Sequence, residues 1–175
     1  IDKYRPAARA GEDEAVASCF AEFCAGIIEA VAGVAACVKP QAAFFEQYGA
    51  PGWRALADTV ACARSYELPV ILDVKRGDIA STGAAYRRAV FGGAPGFEAP
   101  VAGVAADAVT VNPYLGEDAL TPFVDACDEG RGVFVLVRTS TPCAGMLQEL
   151  EADGRPLYLH VADVVARLGE AHGGT

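Results

Sequence analysis

The chain lacks any C-x-x-C pair and carries only two histidines. Its six cysteines, Cys19, Cys24, Cys37, Cys62, Cys127 and Cys143, are scattered through apolar segments. Six in 175 residues is too sparse for a disulfide scaffold, and neither His160 nor His172 sits at a zinc-ligand spacing from them. The cysteines are therefore expected as small core residues of a cytoplasmic protein. A basic excess is also lacking. The net charge of -9 argues against a general nucleic-acid binder, because phosphate-backbone binding needs a basic face. A local cluster of Lys and Arg could still hold a small anion. No run reaches the roughly 18 apolar residues of a membrane helix, so no membrane partner is expected. No G-x-G-x-x-G or Walker motif is present. The opening IDKYRPAARAGEDE has no apolar h-region and carries acidic residues, unlike a signal peptide. It does not begin with Met, and the N-terminus is expected to be truncated, processed or incompletely represented.

What is present is a globular composition, 53% hydrophobic and 21% charged, over a length that suits one domain with a real core. Phe20, Phe23, Cys24, Ile27, Ile28 and Val31 recur at three- and four-residue spacings and predict a helix from Asp13 to about Val31. Val34 to Val38 reads as a short buried strand that Pro40 closes. A second helix is predicted from Trp53 to about Tyr66, with Pro51-Gly52 as its start signal. Val70 to Val74 is the next strand, and a helix follows from about Ile79 to Val90. The stretch FGGAPGFEAPVAG reads as a loop. Further strands are expected at Ala108–Val111 and Gly132–Val137, with helices near Asp118–Cys127 and Pro156–Leu168.

Short apolar strands alternating with amphipathic helices imply an α/β protein with a parallel sheet. A doubly wound sheet and an eight-fold barrel both fit. Polar residues recur just past the strand ends, at Lys39, Asp73 with Lys75, Asn112 and Ser140, and a barrel would gather such ends into one site. A barrel of this kind typically needs about 200 residues or more. The expectation is therefore a (β/α)8 TIM barrel of which the chain, residues 1–175 as a single partial domain, holds about strands 2–5.

The stretch LDVKRGDIASTG ends a buried-looking strand in alternating charges. On an extended strand residues two apart share a side, so Asp73 and Lys75 are expected to project together, with Asp78 past a glycine turn. A lysine between carboxylates stays ammonium and is a well-held proton donor. A solvated salt-bridge cluster is the plainer alternative.

Four blocks bear on that choice: VKPQAAFFEQYG (38–49), LDVKRGDIASTGAAY (72–86), ADAVTVNPYLGEDALTPF (106–123) and GVFVLVRTSTP (132–142). In this order they resemble the orotidine 5'-phosphate decarboxylases, in particular the bacterial subgroup with longer loops. The resemblance implies a charge network of Lys39, Asp73, Lys75 and Asp78. It implies a homodimer in which Asp78, Ile79 and Thr82 reach the neighbouring subunit's substrate. Ser140 matches the pyrimidine-recognising position, and Asn112 either lines the site or only shapes a turn. Lys75 would stabilise the charge at C6 of orotidine 5'-phosphate and protonate it, giving uridine 5'-phosphate in pyrimidine synthesis with no metal or organic cofactor.

Family members also carry a first strand with a ribose-contacting Asp, and later strands with a Gly-rich loop and an Arg for the phosphate. Neither is found in this chain, so activity of these 175 residues alone is an open expectation. Such a partial barrel is expected to be poorly stable or to associate. Two alternatives remain. One is a Mg2+-dependent sugar-phosphate synthase or decarboxylase of the same suprafamily, which shares D-x-K-x-x-D but not the VKPQ or VTVNPYLG context. The other is an inactive nucleotide-binding fragment.

Overall fold

A computed structural model describes residues 11–172. The described residues divide into two compact units, one formed by residues 11–74 and 88–109, the other by 75–87 and 110–172.

In the first unit, helix α1 (Glu12–Val31) packs on α3 (Gly49–Ser65), with the one-turn helix α2 (Ala43–Glu46) beside α3. Ile28, Val60, Ala63, Leu68 and Val70 form the shared core, with Val38 and Val104 packed against it. The face predicted for α1 is only partly correct. Ile28 is buried, but Phe23 and Ile27 are 51% and 46% exposed, and the helix instead buries the smaller Ala17 and Cys19. Phe20 turns inward and meets the Phe45 ring edge-on at 5.6 Å. Of the adjacent pair Phe44 and Phe45, Phe45 is buried and Phe44 is exposed.

The strand expected at Val34–Val38 is corrected. Val34 is 90% exposed, and parallel pairing begins only at Val38, which bridges Val70, and resumes at Gln41, which bridges Asp73. The Pro40 carbonyl accepts the Asp73 N–H at 3.0 Å, but proline has no N–H to return, and the segment makes bridges instead of a continuous ladder.

Strand β1 (Ile71–Arg76) is bonded to β2 (Ala108–Val111), and β2 to β3 (Gly132–Val135). Ala108 N–H donates to the Val70 carbonyl and Asn112 N–H to the Arg76 carbonyl, so β1 and β2 advance together and are parallel. Leu72, Asp73 and Val74 are all buried, as in a strand covered on both faces. Between these strands lies helix α4 (Ala80–Phe91), followed by the loop expected from the sequence.

In the second unit, helix α5 (Glu117–Val124) runs into a 3₁₀ turn (Asp125–Glu129), where a single helix to Cys127 was expected. Leu120 and Phe123 of α5 are fully buried. After β3 come the one-turn helix α6 (Gly145–Gln148), a hairpin of β4 (Glu151–Ala152) and β5 (Arg155–Pro156), and helix α7 (Leu157–Ala171). Among the described residues, no helix is long and apolar enough to cross a membrane.

No disulfide joins the cysteines, and two depart from the core expectation. Cys19 is buried and Cys24, Cys62 and Cys127 are half-buried, but Cys37 and Cys143 are exposed.

Candidate active site

In the first unit the centre is the Asp73 carboxylate, which is 5% exposed on β1. An ionised group at that depth needs charge-assisted partners. Lys39 Nζ donates to Asp73 Oδ2 at 2.9 Å, and Gln41 Nε2 donates to the same oxygen at 3.1 Å. Both donors come from the broken strand around Pro40, whose bridges to β1 bring residues 39 and 41 alongside Asp73. The Lys39 side chain is 52% exposed, so one end of this ion pair faces solvent while the other does not. Gln41 was not singled out from the sequence, although it lies in the quoted block VKPQAAFFEQYG.

In the second unit Lys75 is exposed and has a positive φ of 47°. The expectation that Asp73 and Lys75 share a side assumed extended backbone. A left-handed residue breaks that alternation, so the two-residue rule does not set the direction of the Lys75 side chain. Its N–H donates to Thr110 Oγ1 at 3.0 Å. Two residues on, Gly77 lies so close to β2 that an added Cβ would stand 2.5 Å from the Asn112 carbonyl oxygen. Asp78 follows, half-buried, and its Oδ1 accepts the Ile79 N–H at 2.7 Å. Ile79 is exposed just before α4, and Thr82 is half-buried in its first turn. Arg76 stacks over the Tyr86 ring at 5.3 Å.

Asn112 follows β2, and its Oδ1 accepts the Tyr114 N–H at 3.0 Å, which makes it a turn-former. It also lines a cavity of about 670 Å³ whose walls include Leu120, Leu136, Thr139, Gln148 and His160. Ser140 is exposed in the segment after β3. Its neighbour Thr139 is gripped by Gln148: Oε1 accepts the Thr139 N–H at 2.9 Å, and Nε2 donates to Thr139 Oγ1 at 3.0 Å. Gln148 carries no sequence signal beyond its place in a short apolar stretch. His160 Nε2 donates to the Ala152 carbonyl at 2.8 Å. Among the described residues, no group of three or more His, Cys, Asp or Glu side chains is placed to hold a metal ion.

Residues 17–170 match the family described as orotidine 5'-phosphate decarboxylase / HUMPS. The chain belongs to that family. It is 47% identical over 159 residues to an orotidine 5'-phosphate decarboxylase of Rhodopirellula baltica, covering 90% of this chain and 52% of the relative. It is 49% identical over 143 residues to one from Roseiflexus castenholzii, covering 81% and 47%. The chain thus spans about half the length of the curated relatives it matches. Among solved structures it resembles the Leishmania donovani OMP decarboxylase, with a TM-score of 0.78 at 36% identity over 98% of this chain and 61% of that one. A Streptomyces avermitilis protein described as a putative orotidine 5'-phosphate decarboxylase gives 0.74 at 38% identity, over 86% and 52%. The parallel strands and helices are those of a partial (β/α)8 barrel, as expected from the sequence.

Proposed function

We propose that this chain carries the charged core of an orotidine 5'-phosphate decarboxylase, forming uridine 5'-phosphate for pyrimidine nucleotide synthesis. The observation that carries the reading is the buried Asp73 carboxylate held by Lys39, on the strand that supplies D-V-K-R-G-D, in a chain 47% identical to a protein of that name. The family description covers a second activity class as well. The relatives' names favour the decarboxylase.

The chemistry follows from the charges. The bond between C6 and the carboxylate breaks, CO2 leaves, and the electron pair stays at C6. The Lys75 ammonium stabilises that pair and gives it a proton, and the resulting amine regains one from water. Stabilising charge where it develops is often the largest catalytic contribution. Asp73, fixed by Lys39 and Gln41, would stand near the departing carboxylate. Lys39 and Asp78 would hold the network and contact the ribose hydroxyls. Ser140 would recognise the pyrimidine, and Asn112 would flank it. In a homodimer, Asp78, Ile79 and Thr82 would reach the neighbouring site. Residues 1–175 would belong to one barrel domain, the compartment would be the cytoplasm, and neither metal nor organic cofactor would take part.

The test is spectrophotometric loss of orotidine 5'-phosphate with and without EDTA. EDTA-insensitive turnover that Lys75→Ala abolishes is the expected result. Turnover that survives Lys75→Ala, or turnover of a sugar phosphate that requires Mg2+, would overturn the reading.

A further inference from the structure

We propose that Thr110 is a positioning residue: its hydroxyl, by accepting the Lys75 N–H, holds Lys75 in the left-handed conformation from which its ammonium serves the reaction. The inference rests on the reading of Lys75 as the proton donor.

Lysine has a Cβ, which a positive φ swings towards the carbonyl of the preceding residue, and its long side chain cannot offset that locally as Asn or Asp can. A strained residue of this kind persists only where its surroundings over-determine it, and such residues gather at functional sites. Here the backbone is pinned from β2 on both sides of the strained torsion. The Lys75 N–H is taken by Thr110 Oγ1 at 3.0 Å. One residue later the Arg76 carbonyl accepts the Asn112 N–H at 2.7 Å. Gly77 then permits the close approach to the Asn112 carbonyl that any Cβ would block. The three contacts fix where the chain is before and after Lys75, and a left-handed lysine joins them.

The second observation is the identity of residue 110. It stands in A-V-T-V between Val109 and Val111, both fully buried. Packing and strand propensity there are served as well by valine, which has the same branched shape. What threonine adds is the oxygen that Lys75 uses. The role assigned to Thr110 is thus one exerted through Lys75.

The test compares Thr110→Val, Thr110→Ser and Lys75→Ala in the protein. The sign of φ at Lys75 is read by nuclear magnetic resonance, from the amide–Hα coupling and the intraresidue Overhauser effect, and amide exchange reports the hydrogen bond. Kinetics with orotidine 5'-phosphate supply the second readout. Thr110→Val should move Lys75 to negative φ, speed exchange of its amide, and lower kcat by roughly 10- to 100-fold with KM little changed. Thr110→Ser should restore both. A Lys75 that keeps positive φ and full kcat in Thr110→Val overturns the inference, whatever Lys75→Ala does. Turnover unaffected by Lys75→Ala removes the catalytic half of the inference together with the reading beneath it. The coupling measurement separates the two failures, and it decides the conformational claim even if the chain shows no turnover.

Discussion

Asp73 is the residue whose surroundings say most, because a buried carboxylate with two donors on one oxygen is costly to disturb. Lys39→Met should destabilise the protein by about 1–3 kcal/mol in urea melts. That is less than for a fully buried pair, because half of Lys39 already faces water. Asp73→Asn should cost less stability, since the amide still accepts a hydrogen bond, yet should remove activity. The thiols differ in burial. Burial pushes the Cys24 thiol up, against a smaller opposing hydrogen bond to Thr59, and burial also raises Cys127. Iodoacetamide at mildly alkaline pH should therefore modify Cys37 and Cys143 first, as mass spectrometry of peptides would show. The raised folded value also fixes a sign. The contribution of Cys24 to stability is fully present below the unfolded thiol value of about 8.5 and is lost as pH rises through the folded value. At this scale the Lys39–Asp73 pair was legible because charge inside an apolar context is conspicuous. Gln41 and Thr110 were not, because an amide or a hydroxyl beside a strand has many ordinary uses.

At the scale of elements, close backbone approach sets the most sensitive positions. Gly52 in α3 passes so near α2 that an added Cβ would stand 1.9 Å from the Phe45 carbonyl oxygen. Gly52→Ala must push two backbones apart, and a loss of about 2–4 kcal/mol in thermal or urea unfolding is expected. Gly154 differs: nothing lies within 4 Å of its added Cβ, but its φ is 73°. Gly154→Ala should therefore cost only the left-handed penalty of about 1–2 kcal/mol. Asp153 and Gly154, both at positive φ, make the tight turn between β4 and β5. The Asp-Gly pair signals that hairpin in the sequence, but strands of two residues are too short for periodicity to reveal. The long helices were legible to within a few residues, because their apolar spacing repeats over several turns. The broken strand was not: its apolar run Val34–Val38 looks buried by composition, whereas pairing is set by the bridges on either side of Pro40.

At the scale of the whole chain, the three-stranded sheet of the described residues has β3 at one edge, where Phe134 is 53% exposed. An apolar edge invites pairing with another chain. Sedimentation velocity should show association that grows with concentration, and Phe134→Lys should weaken it; a monodisperse monomer at every concentration would contradict this. The α/β class and its parallel sheet followed from alternating strands and helices. The barrel, as against an open sheet, rested on polar residues recurring past the strand ends, a pattern that periodicity within any one element does not show.

Pro40 reaches beyond the folded state. A residue that precedes proline is largely barred from helical backbone, so Lys39 explores a narrowed set of extended conformations even in the denatured chain. Replacing Pro40 with alanine would remove no native hydrogen bond, since the Pro40 carbonyl that receives Asp73 would remain. It would still widen the unfolded ensemble, which by itself costs about 0.4–1 kcal/mol. Part of the ordering of Lys39 is thus accomplished by covalent chemistry, before Asp73 is near enough to attract it.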